Sequence, residues 1–363
     1  MKRPYLLAVP GLSNYRWESG IGRVLVNLQR TWAERVQCQD ALLQHLALPV
    51  MRNIPLGVAA PEGSDIIFLP QLTGASALIS AHRYRSLVVV HDIGVIDCPE
   101  DIRALDWLTR QVLGLHLRSL RFASQIVTVS HFTRARLLEH LPQLEGKTSV
   151  IPNAVNDAFL NCRIGRAEAE ATVQERVKSH PGSKVRRPRL IYVGTETPRK
   201  NVGLLLEVLK RVQAQWPEAQ LLKVGRAGND ADRKRTLAKM QLLGLEVGKD
   251  VLFLQDIDDH ELACAYQSAD LFASTSLYEG FGLPAAEALA LGVPVVTTNM
   301  GSFPEIVGDA GHLVAPAAVP FSEAVLEVLE RAPQRVRQTP KATYSWKHSA
   351  EAYLELIEKL VGR

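Results

Sequence analysis

The fold of this chain is decided by Leu271-Phe-Ala-Ser-Thr-Ser-Leu-Tyr-Glu-Gly-Phe-Gly-Leu-Pro-Ala-Ala-Glu-Ala-Leu-Ala-Leu-Gly-Val-Pro294. The stretch opens with a short apolar run at residues 271–273, which is typical of a strand buried on both faces. A glycine-containing loop follows, and Pro284 favours a helix start at about that position because a first-turn proline loses no hydrogen bond. Strand, loop and helix in this order form the repeating unit of a parallel α/β sheet.

Outward from this stretch, short apolar runs alternate with longer amphipathic segments. The runs predict strands at residues 5–9, 65–69, 87–90, 125–129 and 148–151, and a second series at residues 189–193, 220–224, 250–254, 271–273 and 293–297. Each run is continuous and rich in β-branched residues, as strands of a parallel sheet are. We therefore expect two doubly wound α/β domains, with ligands in the crevice where the carboxyl ends of the strands converge.

A linker is expected between the two series. Residues 161–188 are rich in Arg, Glu, Lys, Gly and Pro, and residues 179–188 have almost nothing to bury. We place the first domain at residues 1–178 and the second at residues 179–344. The spacing of Ala350, Tyr353, Leu354 and Ile357 predicts a helix near the end of the chain.

Composition limits the classes of protein to consider. Hydrophobic residues make up 47% of the 363 residues and charged residues 22%, which is typical of a globular protein. A net charge of +4 is too small to indicate nucleic acid as a partner, although it permits an anionic ligand or weak contact with anionic lipid.

Cysteine usage and hydropathy favour a cytoplasmic protein. The 4 cysteines are spread along the chain without a close pair, which argues against a zinc site and a disulfide framework. The apolar run near the start is short for a signal peptide. No stretch of the sequence is close to the length of a membrane helix, which needs about 18 apolar residues. We expect contact with a membrane at most from its inner face.

The loop and helix of the opening stretch carry candidate binding groups. Gly280 and Gly282 allow a ligand close to the backbone, and the N–H groups of Gly282 and Leu283 can face an anion. Glu279 lies before the helix, and Glu287 lies one turn inside it, where a carboxylate suits hydroxyl groups such as a ribose diol. The spacing alone fits equally well a solvated loop charge at Glu279 and a favourable first-turn acid at Glu287.

The whole string Glu-Gly-Phe-Gly-Leu-Pro-x-x-Glu-Ala at residues 279–288 resembles the signature of the family-4 retaining glycosyltransferases of the GT-B fold. Segments at residues 19–24, 88–94, 193–201, 222–226 and 299–306 resemble further landmarks of that family, in the expected order. The resemblance implies two Rossmann-like domains facing across a cleft. It also implies a nucleotide-sugar donor on the second domain, and a tail that crosses back to the first domain at Ser345-Trp346, so that residues 345–363 belong there.

The resemblance assigns roles to individual residues. Lys200 and Arg199 would neutralise the donor pyrophosphate without a metal ion, and a basic turn at a helix start, where the helix dipole disfavours cations, fits such a role. Glu279 would hold hydroxyls of the donor sugar, and His91 would lie beside the reacting sugar, although an isolated histidine is usually structural. The residues expected to bind the donor are Gly20, Gly22, Gly194, Arg226, Gly280, Phe281, Gly282, Leu283 and Glu287.

Two features qualify these roles. Many family members carry an arginine directly after the strand glycine, whereas this chain has Thr195, so Arg199 is expected to serve instead. Gly20 and Gly22 precede a predicted helix, where glycines suit a phosphate or sugar but also allow tight packing of strands.

Several alternatives stay open. The Pro-Arg-Lys-Asn form at residues 198–201 looks most like mannosyltransferases of polysaccharide assembly, which implies GDP-mannose and a saccharide or lipid-linked acceptor. UDP- and dTDP-sugars, an inverting transferase or epimerase, and a non-catalytic nucleotide-sugar-binding protein are the rivals. No cofactor or metal is expected, because Asp256-Ile-Asp258-Asp259 is better interpreted as a turn into a helix than as an Asp-x-Asp metal site. The apolar spacing in residues 101–123 fits a surface for lipid-linked acceptors, but a helix packed on its own domain is favoured.

Overall fold

A computed structural model describes residues 4–10, 12, 20–45, 55–99, 101, 106–178, 184–331 and 344–362. The chain divides into two compact units, the first formed by Met1–Ala154 with Ala342–Arg363 and the second by Val155–Lys341. The first unit therefore ends earlier in the sequence than the boundary expected at 178/179. The reason is that the helix Arg166–Val177 packs on the helix Asp259–Ser268 and on the strand Val251–Leu254 of the second unit.

The first unit contains a seven-stranded sheet. Its strands are β1 Tyr5–Pro10, β2 Val36–His45, β3 Pro55–Ala59, β4 Ile66–Leu69, β5 Ser86–Val90, β6 Gln125–Thr128 and β7 Thr148–Val150, in the order β3-β2-β1-β4-β5-β6-β7. Neighbouring strands are parallel except β2 and β3, which are antiparallel. The predicted strands of the first half are present. The pattern missed β2, because polar residues interrupt its sequence Val-Gln-Cys-Gln-Asp-Ala-Leu-Leu-Gln-His. It also missed β3, because the short sequence Pro-Leu-Gly-Val-Ala contains both proline and glycine.

The C-terminal helix belongs to this first unit, as expected. The described helices of this unit include Gly20–Trp32, Leu78–Ala81, Gly94–Asp97, Trp107–Ser119, His131–His140 and Trp346–Val361. The Trp32 indole Nε1 donates to the Ala350 carbonyl oxygen at 3.0 Å. The Tyr353 ring packs edge-on against Trp32 and Phe68, with ring centroids 6.2 and 6.1 Å apart. These contacts fix the tail on the sheet through buried aromatic area.

The second unit contains a six-stranded, fully parallel sheet. Its strands are β8 Arg189–Val193, β9 Gln220–Val224, β10 Val251–Leu254, β11 Leu271–Ser274, β12 Val295–Thr298 and β13 His312–Val314, in the order β10-β9-β8-β11-β12-β13. This is the strand order of a Rossmann fold. The predicted strands of the second half are present, and β13 was missed because it is only three residues long and half-buried.

Helices cover this second sheet. They are Asp157–Leu160, Arg166–Val177, Val202–Gln213, Asp230–Leu243, Asp259–Ser268, Leu283–Ala290, Phe303–Ile306 and Ala318–Arg331. The helix Val202–Gln213 buries Leu205, Leu206 and Leu209 in a core cluster that also contains residues of β8 and β9, and it packs on the helices Asp230–Leu243 and Ala318–Arg331. In both units together, no described helix has the length and apolar character needed to cross a membrane.

Each sheet has one point where the order of its strands reverses. In the second unit it lies between β8 and β11, and in the first unit between β1 and β4. The loops that follow such a pair of strands diverge and leave a crevice at their carboxyl ends, where ligands bind in open α/β sheets. In the second unit, the loops at this point are residues 194–201 and 275–282.

Candidate functional site

The two loops at the reversal point of the second sheet are joined to each other. The Leu277 N–H donates to the Arg199 carbonyl oxygen at 2.8 Å. The Thr275 hydroxyl donates to the Asn201 carbonyl oxygen at 2.9 Å. Two motifs that are far apart in the sequence therefore form one rigid surface at the end of the sheet.

Lys200 and Glu279 meet on this surface. The Lys200 Nζ lies 2.6 Å from Glu279 Oε1, and each side chain is 14% exposed. Because both side chains are mostly buried, removing either partner would leave the other charge largely desolvated and unpaired. A bound ligand can replace each partner of the pair: an anion can bind Lys200 in place of Glu279, and hydroxyl groups can bind Glu279 in place of Lys200. The structure thus brings together two of the predicted site residues.

Gly301 fixes the backbone of Glu279, a role that the sequence did not reveal. Gly301 has a φ of 64°, and a Cβ atom there would lie 2.7 Å from the Glu279 nitrogen and 3.1 Å from its carbonyl oxygen. The Ser302 N–H donates to the same carbonyl oxygen at 3.2 Å. Only glycine fits such a position, and a turn containing glycine after β12 was the only signal in the sequence.

The helix after Glu279 begins at Leu283, as predicted to within a residue. Gly282 precedes it with a φ of 85°, and a Cβ atom at this position would lie 3.0 Å from the Phe303 ring. Phe281 is 4% exposed, so its ring packs inside the unit and only its backbone can face a ligand. The first N–H groups of a helix have no partner within the helix, which suits an anion.

Glu287 is buried rather than solvated. It is 5% exposed, and the Tyr266 hydroxyl lies 2.9 Å from its Oε2 and 3.1 Å from the Pro284 carbonyl oxygen. This hydrogen bond fixes the orientation of the carboxylate, which suits a group that binds hydroxyls. The sequence did not single out Tyr266, because one tyrosine within a buried helix has the pattern of an ordinary core residue.

A buried charge cluster lies behind the loop at residues 194–201. Glu196 is 0% and Lys223 is 1% exposed, and Lys223 Nζ and Arg233 Nη2 lie 3.0 and 2.7 Å from Glu196 Oε1. Burial would raise the pKa of the Glu196 carboxyl, but the two cations outweigh it and hold that pKa below its ordinary value. Burial lowers the pKa of Lys223 to about 8, against the effect of Glu196.

This cluster joins the loops after β8 and β9. Lys223 Nζ donates to the Arg226 carbonyl oxygen at 3.0 Å, and the Glu196 N–H donates to the Ala227 carbonyl oxygen at 2.6 Å. Gly194 has a φ of 152°, and a Cβ atom there would lie 2.7 Å from the Tyr192 hydroxyl, which itself donates to the Thr195 carbonyl oxygen at 2.8 Å. Gly194 is thus required by close packing within the loop.

Arg226 and Arg199 occupy different environments. Arg226 is 75% exposed, and its Nε and Nη2 donate to Asp256 Oδ1 at 2.9 and 2.7 Å. Its guanidinium is thus directed to a surface carboxylate and not to Glu279. Arg199 lies in the short turn Pro198–Lys200, and Asn201 follows with a left-handed φ of 51°. A role of either arginine toward the donor stays a prediction.

In the first unit, His91 lies at the carboxyl end of β5. Its Nε2 is 3.0 Å from the Pro70 carbonyl oxygen. Burial lowers the pKa of His91 and outweighs the opposite effects of that carbonyl and of Asp92. The ring is therefore neutral at physiological pH, and it donates from Nε2 while Nδ1 keeps its lone pair. Asp92 accepts from the Gly94 N–H at 3.0 Å, so it orients the loop as predicted.

The glycine-rich segment of the first unit requires one correction. Gly20 and Gly22 were expected in a loop before a helix, but the helix Gly20–Trp32 already includes both. Their N–H groups belong to its first turn, where groups without an intrahelical partner are found. Ser19, which precedes them in the motif, lies outside the described residues.

The acidic run 256–259 is a helix start. The Asp258 side chain accepts from the Glu261 N–H at 2.8 Å, and the Glu261 side chain accepts from the Asp258 N–H at 3.1 Å. This reciprocal cap is the turn that the sequence indicated. Among the residues that the structure describes, no group of three or more His, Cys, Asp or Glu side chains could hold a metal ion.

Comparison with known proteins adds two family matches. The family described as "Glycosyl transferases group 1" matches residues 173–344, and the family described as "Glycosyltransferase Family 4" matches residues 50–159. The first match contains both loops of the Lys200–Glu279 surface, and the second contains His91.

Individual relatives are similar over most of the chain. O-antigen chain mannosyltransferase B of Escherichia coli is 30% identical over 351 residues, which cover 86% of this chain and 87% of the relative. MMP alpha-(1->4)-mannosyltransferase of Mycolicibacterium hassiacum is 26% identical over 318 residues, which cover 82% of this chain and 71% of the relative. Sucrose-phosphate synthase of Thermosynechococcus elongatus has the same fold, with a TM-score of 0.74, 21% identity and 99% coverage of both chains.

Proposed function

Since this chain belongs to the family-4 glycosyltransferases, with the two Rossmann-like domains of the GT-B fold, we propose that it is a retaining mannosyltransferase that uses GDP-mannose. The acceptor in this proposal is a saccharide or lipid-linked saccharide of surface polysaccharide biosynthesis. Support for mannose comes from the two relatives, both of which are named mannosyltransferases.

The Lys200–Glu279 pair carries the proposal. In the free enzyme the two charges neutralise each other at 2.6 Å. We assign Lys200, together with Arg199, to the donor diphosphate, and Glu279 to the hydroxyls of the donor sugar. Fixed cations that face the charge developing on a leaving diphosphate lower the barrier without reorganisation, which is the contribution a metal ion makes elsewhere.

The reaction forms one bond and breaks another at the anomeric carbon. The acceptor oxygen attacks from the same face as the departing diphosphate, the bond from carbon to the phosphate oxygen breaks, and the acceptor proton passes to that phosphate oxygen. Configuration is thereby retained. We assign the Glu287 carboxylate, which Tyr266 orients, to the ribose hydroxyls of the donor.

The cysteines support a cytoplasmic location for this reaction. All four are reduced cysteines outside any disulfide, which is the usual state in a reducing compartment. Arg110 and Arg118 are exposed on the helix Trp107–Ser119 and would supply weak contact with anionic lipid at the inner face of a membrane.

The proposal is tested by the products that the purified enzyme forms from GDP-mannose, UDP-glucose and a dTDP-sugar with saccharide acceptors. We expect α-configured mannoside from GDP-mannose, detected by NMR of the anomeric proton. Glu279→Gln and Lys200→Met should each lower kcat about a hundredfold or more, because both residues act on the reacting charge.

Lys249→Met is the matched control for these two variants. Lys249 forms an exposed pair with Glu246 at 2.7 Å in the same unit, so its removal should leave kcat unchanged. Near-normal turnover in Glu279→Gln or Lys200→Met would remove the site assignment. A β-configured product would contradict retention, and preference for a UDP- or dTDP-sugar would replace the assigned donor.

A further inference from the structure

A cavity of about 420 Å³ lies in the first unit at the reversal point of its sheet. Pro10, the last residue of β1, and Leu69, the last residue of β4, form one side of it. The opposite wall is the helix Trp107–Ser119. A cavity of this volume at the carboxyl ends of these strands has the size and place of a small-molecule site.

One face of the helix Trp107–Ser119 lines the cavity. Leu108, Val112 and His116 are spaced four residues apart, which places them on the same side of a helix, and all three contribute to the lining. The Asp106 side chain caps this helix by accepting from the Thr109 N–H at 2.9 Å, and the helix packs on the turn Leu72–Ala77. The wall is therefore held in place, and the helix does pack on its own unit, as favoured from the sequence.

The described lining residues are uncharged. The described residues around the cavity include no Asp, Glu, Lys or Arg. His116 is 3% exposed, and its Nδ1 accepts from the Ser76 N–H at 3.3 Å. Burial lowers the pKa of His116 to about 4, so the imidazole is neutral at physiological pH. Without a charged side chain, such a cavity offers little to a phosphate and favours a hydrocarbon or aromatic group.

One residue of the cavity lining contacts His91. Pro70 belongs to the lining, and its carbonyl oxygen is the atom that accepts from His91 Nε2 at 3.0 Å. A molecule with its apolar part in the cavity would place its other end beside His91. That arrangement suits an amphiphile whose polar end is a sugar.

We infer that the cavity binds the hydrocarbon or aromatic aglycone of the acceptor, so that the acceptor is a glycoside with an apolar group next to the sugar that is extended. This inference rests on the proposed function, because it takes the ligand to be the acceptor of the transfer. The cavity would select acceptors by the length and shape of the aglycone, while the donor determines which sugar is added.

The test is a calorimetric titration of the full chain with methyl, butyl, hexyl and octyl mannosides, each below its micelle concentration. We expect the affinity to increase roughly fourfold for each buried methylene until the cavity is full. Thr73→Trp and Val112→Trp should fill the cavity and weaken octyl mannoside at least tenfold. Thr73 is an exposed lining residue, so its variant should fold even if the half-buried Val112→Trp does not.

Gln111→Trp is the matched control, because Gln111 neighbours Val112 on the same helix but is exposed and outside the lining. Its affinity for octyl mannoside should stay within about twofold of wild type. Affinity that does not depend on chain length, or that is equal in Thr73→Trp and wild type, would overturn the inference. Binding to anionic vesicles without binding of monomeric octyl mannoside would assign this face to a lipid surface and overturn it as well.

Titration separates the cavity from the proposed function, because it requires no turnover. Length-dependent binding of mannosides by an enzyme that transfers no mannose would leave the cavity assignment in place and contradict the proposed function. Transfer of mannose to methyl and octyl mannosides with equal kcat/KM would support the proposed function and contradict the cavity assignment.

Discussion

At the scale of single residues, the site depends on contacts between positions that are far apart in the sequence. Lys200 and Glu279 are brought to 2.6 Å by two loops of the same sheet edge. Tyr266 orients Glu287, and Gly301 passes so close to Glu279 that no side chain fits. The charged groups are visible as motifs in the sequence, whereas the residues that position them are not, because their roles come from proximity in the folded unit.

Gly301→Ala tests this positioning role. A Cβ atom 2.7 Å from the Glu279 nitrogen must displace that backbone, so we expect kcat/KM to fall at least tenfold. The positive φ of 64° adds a stability cost of about 1 kcal/mol. Steady-state kinetics and urea denaturation measure the two effects separately.

Gly244→Ala is the control for backbone strain alone. Gly244 has a nearly identical φ of 65°, but a Cβ atom there meets nothing within 4 Å. Its variant should lose a similar amount of stability and keep full activity. Equal activity in the two variants would show that the approach of Gly301 to Glu279 has no catalytic consequence.

At the scale of elements, the strands that are buried on both faces are the ones that the sequence predicts well. Strands covered on both faces leave continuous apolar runs, which is why β8, β9 and β11 were predicted from the sequence. The strand β2 was missed, since its exposed positions hold polar residues such as Gln37 and Asp40. The start of the helix Gly20–Trp32 was placed too late, because glycine is a poor helix former and the first turn there contains two.

The helix Trp107–Ser119 makes the stability of the first unit depend on pH through His116. The pKa of His116 is lowered to about 4, so below pH 6.5 the unfolded chain binds a proton that the folded chain does not. Stability is therefore lost as pH falls from about 6.5 toward 4. Between pH 7 and pH 5 this histidine should account for about 2 kcal/mol of the loss in the free energy of unfolding.

His116→Asn provides the measurement, because the asparagine oxygen can still accept from the Ser76 N–H but does not titrate. Urea denaturation at pH 7 and pH 5 should show a smaller loss for this variant than for wild type. His82→Asn, at an exposed position of the same unit, is the control and should behave as wild type. The same pH dependence in wild type and His116→Asn would contradict the assigned role of the buried imidazole.

At the scale of the whole molecule, each unit contains a sheet with one reversal point, fully parallel in the second unit and parallel except for β2 and β3 in the first. The predicted site residues follow strands near those points. His91 follows β5, Lys200 follows β8 and Glu279 follows β11. The periodicity of the sequence predicts the sheets, and the sheets determine where loops converge. The boundary between the units was placed later in the sequence, because the polar face of the helix Arg166–Val177 resembles a linker until its packing is known.

We expect the proposed donor site to bind its nucleotide without a metal ion, since the proposal assigns Lys200 and Arg199 to the positive charge for the diphosphate. In a thermal-shift measurement with EDTA, a nucleotide at a hundred times its Kd contributes about 2.7 kcal/mol, which raises Tm by roughly 5–10 °C for a unit of this size. We expect this shift with GDP and GDP-mannose, and its loss in Lys200→Met but not in Lys249→Met. A shift with UDP or dTDP instead would keep the site and change the base, because the diphosphate contacts are common to all three. A shift that appears only when Mg²⁺ or Mn²⁺ is added would show that the two cations do not suffice, and that the donor diphosphate brings its own metal ion.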